Sequence, residues 1–82
     1  MSNRITIYSV PGCAPCLVAK KRLDAEGIPY EDIDLSENPE TLDRLKRQFG
    51  VPKIQTPLIH YAGEYHTIAG LTNIIAKYKE TN

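Results

Sequence analysis

Apolar and polar positions alternate at the start of the chain. Ile5, Ile7 and the β-branched Thr6 predict a strand over Arg4–Tyr8, which Val10-Pro11-Gly12 breaks. From about Cys13 to Glu26 the period lengthens to that of a helix. Cys16, Ala19 and Leu23 recur at i, i+3 and i+7, with Lys20, Lys21 and Asp24 on the outside and Gly27 at the C-terminal stop. Tyr30–Leu35 reads as a second strand. Asn38-Pro39-Glu40 then starts a second helix, with Asn as N-cap, Pro at the first helical position and an acid in the first turn. Its stripe is Leu42, Leu45 and Phe49, and Gly50 ends it. Leu58–Tyr61 and Glu64–Ile68 are short strands around Ala62-Gly63, spaced as a hairpin. Ala69-Gly70 leads into a last helix with Leu71, Ile74, Ile75 and Tyr78 as its apolar stripe.

The predicted order is β-α-β-α-β-β-α. A strand–helix–strand opening requires a right-handed crossover and a parallel pair, whereas a hairpin is antiparallel, so the sheet is mixed. Four strands with helices on both faces form an α/β fold, with the first strand apolar enough to lie at its centre. No repeat or linker divides residues 1–82, and the length suits one domain.

Charge and composition narrow the function. Ten basic and ten acidic side chains cancel, so the excess of Lys and Arg that phosphate contacts need is absent, which argues against a nucleic-acid partner. The Lys20-Lys21-Arg22 run reads as a solvated helix face. Met-Ser-Asn-Arg runs directly into Ile5 without an apolar signal region, and no run of about 18 apolar residues occurs, so a cytoplasmic protein off the membrane is expected. Only two cysteines are present, as Cys13-x-x-Cys16. That spacing in a cytosolic chain means redox chemistry or half a metal site.

Cys13 lies at the seam between first strand and first helix, where unpaired N–H groups and the helix dipole favour a thiolate. It is the expected nucleophile. Cys16, one turn later on the buried stripe, is the expected resolving thiol, close enough to form a disulfide with Cys13. Between them, Ala14-Pro15 stiffens the loop, since proline is tolerated in a first turn. Thr56-Pro57 directly precedes an apolar strand, where a proline belongs to an edge or a special turn and a cis bond is a recognised feature. Thr56 would offer backbone groups to an extended substrate. A zinc module of Cys13, Cys16, His60 and His66 is the alternative of another class, although such ligands usually come in tight pairs. A non-catalytic interaction module is a third class. Tyr30, Tyr61 and Tyr78 read as core or edge filler, Tyr65 as a surface strand residue, and each His as an exposed strand residue. Tyr8 reads as strand packing or groove lining. Arg44, Lys46 and Arg47 read as a solvated helix face, with contact to a ligand carboxylate as the alternative.

The run Tyr8-Ser9-Val10-Pro11-Gly12-Cys13-Ala14-Pro15-Cys16, followed by Thr56-Pro57 and Ala69-Gly70, resembles the three landmarks of glutaredoxins, in the thioredoxin superfamily. The resemblance implies a thioredoxin fold and a cofactor-free thiol–disulfide oxidoreductase. It also implies a partner surface of Gly12, Ala14, Pro15, Thr56, Pro57, Ala69, Gly70 and Leu71. Glutathione-dependent members typically carry a second glycine and paired aspartates after the last landmark; this chain has Leu71-Thr72-Asn73, and Val10 where a Lys is common. Phe49-Gly50-Val51 through Gln55-Thr56-Pro57, with Gly70-Leu71, is more similar to the NrdH-redoxin branch. That branch takes electrons from NADPH through thioredoxin reductase and passes them to ribonucleotide reductase. The branch's usual Trp and Arg-Pro-Asp are missing here. The expectation is therefore a monomeric electron donor reduced by thioredoxin reductase, with glutathione as the alternative donor and other disulfide proteins as alternative acceptors.

Overall fold

The structure, a computed structural model, describes residues 4–81; the leading stretch 1–3 lies outside the described residues. Strand β1 (Ile5–Ser9) pairs parallel with β2 (Tyr30–Asp34), placing Ile7 opposite Asp32 and Ser9 opposite Asp34. On its other side β1 pairs antiparallel with β3 (Leu58–Tyr61), with Tyr8 opposite Leu58. Strand β4 (Glu64–His66) completes a mixed sheet of order β2-β1-β3-β4. Helices α1 (Ala14–Ala25), α2 (Pro39–Phe49) and α3 (Leu71–Thr81) connect and cover it. This is the predicted thioredoxin-like fold, with β1 inside the sheet.

Strand alternation divides the core into two layers. Ile5, Ile7, Ile59 and Tyr61 point to one face and pack with Ala19 and Leu23 of α1 and Leu71, Ile74 and Ile75 of α3. Tyr8 points to the other face and packs with Leu35 and Leu45, so α2 covers that side. The Arg22 guanidinium donates to Thr72 Oγ1 (3.0 Å), and Lys79 pairs with Glu26, so polar contacts also join α1 to α3. Among the described residues, no helix is long and apolar enough to cross a membrane.

Four local expectations change. Asn38 occupies the N-cap position of α2, but its side chain makes no cap hydrogen bond there. Its Nδ2 donates instead to the Asp34 carbonyl (2.8 Å), closing the β2–α2 turn. Phe49 does not join the buried stripe; at the end of α2 it is 40% exposed and packs edge-to-face on Tyr65, with centroids 5.0 Å apart. Tyr65 is accordingly half-buried rather than a surface residue. Strand β4 stops at His66, because the chain turns into a 3-10 segment, Ile68–Gly70, that brings Ile68 onto the α1–α3 core.

The β3–β4 loop is the predicted Ala62-Gly63. Both residues have positive φ, 53° and 78°, as a two-residue turn of the primed type requires. Alanine in that region carries a steric cost of roughly 1–2 kcal/mol. Two stability changes of opposite sign follow, measured by urea unfolding. Ile59→Ala, at a side chain with no exposed surface, should cost about 2–5 kcal/mol. Ala62→Asn, a residue that tolerates the left-handed region, should stabilise the protein by about 0.5 kcal/mol.

Candidate active site

The chain leaves β1 through Val10-Pro11-Gly12. Gly12 has φ +76°, a conformation open to glycine because it has no Cβ. That turn delivers Cys13 to the N-cap of α1 in an extended conformation. The Cys16 N–H donates to Cys13 Sγ (3.3 Å), so sulfur takes the place of the usual capping oxygen. Pro15, at the second helical position, has no N–H to leave unsatisfied. Cys13 and Cys16 form a disulfide with Cα atoms 5.3 Å apart. Cys16 is only 2% exposed, Cys13 is half-buried, and Ala14 and Pro15 are exposed.

The second landmark arrives through the sheet. Because Tyr8 pairs with Leu58, the start of β3 lies beside the end of β1. The Thr56–Pro57 peptide bond is cis, and the Thr56 hydroxyl donates to Cys13 Sγ (3.4 Å) from 43 positions away. Pro57 is buried behind it. Gly12, Cys13, Ala14, Pro15, Cys16, Thr56 and Pro57 therefore converge on one place.

Ala69, Gly70 and Leu71 do not join them in the same way. Ala69 and Gly70 lie in the 3-10 turn that packs on α1, and neither lines the clefts beside the disulfide. Leu71 has no exposed surface: it opens the apolar stripe of α3 and belongs to the core, which corrects its expected place on the partner surface. Gly70 has a packing reason, since a Cβ there would stand 3.2 Å from the His66 Cβ and 3.3 Å from its Nδ1.

Two clefts flank the disulfide, of about 410 and 420 Å³. The one on the α1 side is lined by both cysteines with Ser9, Lys20, Asp32 and Asp34. There the Ser9 hydroxyl donates to Asp32 Oδ1 (2.8 Å), and Lys20 Nζ lies 2.6 Å from Asp32 Oδ2. Hydrogen bonds from Ser36, chiefly its hydroxyl, hold the Asp34 carboxyl below the usual carboxylate range. The cleft on the α2 side is mostly apolar, with Leu42 and Ile54, and carries Lys46, Lys53 and Thr56 near Cys13. Tyr8 packs rather than lining either cleft; burial raises its phenol pKa, and Arg44 opposes the rise.

The zinc alternative is overturned. Among the described residues, no group of three or more His, Cys, Asp or Glu side chains is placed to hold a metal ion. His60 lies against Tyr65, ring centroids 4.6 Å apart, and His66 sits beside Glu64, so each half-buried imidazole is engaged within the hairpin.

Ser9, Asp32 and the place of Lys20 are absent from the expected site. Strand alternation would have found them. In Tyr30-x-Asp32-x-Asp34 the carboxylates share the face that α1 covers, and Lys20 follows Cys16 by four residues.

The sequence profile of the glutaredoxin family, described as Glutaredoxin, matches residues 5–64. The chain is 31% identical over 70 residues to the N-acetyl-S-hydroxy-L-cysteine reductase of Bacillus subtilis, covering 85% of this chain and 72% of that protein. It is 33% identical over 64 residues to the Gene 56 protein of Mycobacterium phage L5, covering 70% of this chain but only 62% of that protein's length. Its fold is similar to that of NrdH-redoxin from Escherichia coli, with a TM-score of 0.73 over 87% of this chain and 93% of the other; at 23% identity the likeness concerns the fold alone.

The unequal settings of the two sulfurs generate a labelling prediction. In the reduced protein, limiting iodoacetamide near neutral pH should alkylate Cys13 ahead of Cys16. Cys16→Ser should accumulate mixed disulfides without releasing them, and Cys13→Ser should form none. Mass mapping that finds Cys16 labelled first would reverse the two roles.

Proposed function

This chain belongs to the glutaredoxin family, as a thiol oxidoreductase with the Cys13-x-x-Cys16 pair, and from that premise we propose that thioredoxin reductase, not glutathione, reduces it. In this reading NADPH supplies electrons through the reductase. Cys13 attacks the acceptor disulfide, Cys16 resolves the mixed disulfide, and the acceptor is ribonucleotide reductase or another disulfide protein. Residues 1–82 act as one redox domain, monomeric and cytoplasmic, with Gly12, Ala14, Pro15 and Thr56 against the partner, Pro57 setting Thr56 from behind, and Ala69 and Gly70 at its margin.

One observation carries the choice of donor. The first turn of α3 holds Thr72 and Asn73 and no carboxylate, and the Arg22 guanidinium is bonded to Thr72 Oγ1 at 3.0 Å. A glutamyl ammonium arriving there meets a cation in place of an anion. A lost charge-assisted contact costs about 1.5–3 kcal/mol, roughly ten- to a hundredfold in affinity. A second reading, glutathione as donor, is favoured by Lys46 and Lys53, which line the α2-side cleft where a carboxylate would be welcome.

A side-by-side assay separates the two. NADPH consumption should be robust with thioredoxin reductase and at least tenfold slower with glutathione plus glutathione reductase. Turnover confined to the glutathione system would make the second reading correct.

A further inference from the structure

Cys16 presents a chemical problem that the dithiol reading leaves open. Its side chain is 2% exposed, and burial disfavours a thiolate. Yet release of the partner needs that thiolate. Cys16 Sγ must lose its proton to water in the cleft and attack Cys13 Sγ of the mixed disulfide. The Cys13–Cys16 bond forms, the bond from Cys13 to the partner sulfur breaks, and the partner leaves as a thiolate that takes a proton from solvent. The dithiol thereby passes two electrons to the partner's disulfide.

We propose that Lys20 and Asp32 are positioning residues that set the acidity of Cys16, Lys20 favouring its thiolate and Asp32 opposing it. Lys20 lies four residues beyond Cys16, hence on the same face of α1, and both line one cleft. A lysine on a half-open face would ordinarily carry its ammonium outward into water. Here Asp32 Oδ2 holds Nζ at 2.6 Å over the cleft, and the Ser9 hydroxyl fixes Asp32 through its other oxygen at 2.8 Å. Ser9 is itself 3% exposed and set by the β1–β2 register. Among the described residues, the only other charged side chain lining the cleft is Asp34, whose Oδ1 accepts from the Ser36 N–H and hydroxyl. The Ile68–Gly70 turn packed against α1 contributes no titratable group.

This inference rests on the dithiol reading but is tested apart from it. A plain clasp between α1 and β2 would be broken equally by removing either partner, and Cys16 would respond in the same direction both times. Opposed charges acting on a thiol give opposite responses. In a Cys13→Ser background Cys16 is the sole thiol, and its titration can be followed by ultraviolet thiolate absorbance, with circular dichroism as a check on folding. Lys20→Gln should lower the thiolate fraction at a given pH by about three- to tenfold, and Asp32→Asn should raise it by a similar factor. The double variant should return near the starting curve, and Lys20→Arg should hold it. Shifts of the same sign, or no shift in Lys20→Gln, overturn the proposal. If Asp32→Asn does not fold, Lys20→Gln against Lys20→Arg decides the matter alone. Absence of disulfide reductase activity in the unaltered protein would sink the functional reading and leave this titration standing.

Discussion

The hydrogen bond from the Cys16 N–H to Cys13 Sγ makes one sulfur both the cap of α1 and the candidate reacting atom. Helix capping and redox chemistry therefore share a single group. A thiolate is a stronger acceptor than a disulfide sulfur and sits at the positive end of the α1 dipole, so reduction and a well-capped first turn favour each other. Pro15 keeps that first turn free of one further donor. The Thr56 hydroxyl adds a second donor to the same sulfur. Hydrogen bonds to the charged form favour it, whereas burial of Cys16 works against its charged form. The asymmetry between two chemically identical residues arises from one turn of helix.

That asymmetry depends on the sheet. Strand β1 delivers Cys13 at its C-terminal end, and its antiparallel partner β3 begins at the same level, so a strand entering and a strand leaving meet at the disulfide. Parallel pairing on the other side of β1 sets Asp34 opposite Ser9 and Asp32 two residues lower, under α1. The turn into β3 thus brings Thr56 to Cys13, and β2 sends Asp32 and Asp34 into the cleft on the other side. With β1 at the sheet edge, one of these two flanks would be missing.

Much of this was legible in the sequence because strong periodicity and chain breakers coincide. The stripe Cys16, Ala19, Leu23 is buried as its spacing requires, and β1 and α3 follow their patterns. Thr56-Pro57 could be placed beside Cys13 because strand order leaves few alternatives. The departures share one physical origin: a side chain with two possible partners. Asn38 had the helix N-terminus or the Asp34 carbonyl, and the carbonyl took it. Phe49 had the α2-side core or the Tyr65 ring, and the end of the helix overhangs the ring. Leu71 adjoins Ala69 and Gly70 in sequence, but one residue separates the partly exposed turn from the fully buried helix stripe. The Ser9–Asp32–Lys20 cluster escaped because each member has an ordinary solvated reading alone.

Electrostatics at the scale of the site differ from those of the whole chain. Over the whole chain the formal charges sum to zero, which gives no long-range preference for a partner. Around Cys13 the cancellation is lost. The carboxylates of Asp32 and Asp34 lie in the cleft on the α1 side, with Lys20 drawn in against Asp32. On the α2 side Lys46 and Lys53 line the cleft with no carboxylate among its lining residues. Charges within about 8–10 Å still act on one another at physiological salt, whereas those at the far ends of the molecule are screened. A segment lying across the disulfide therefore meets fields of opposite sign on its two sides. Neutrality of the whole and polarity of the site are compatible, because only the nearest few side chains act on a group bound at Cys13.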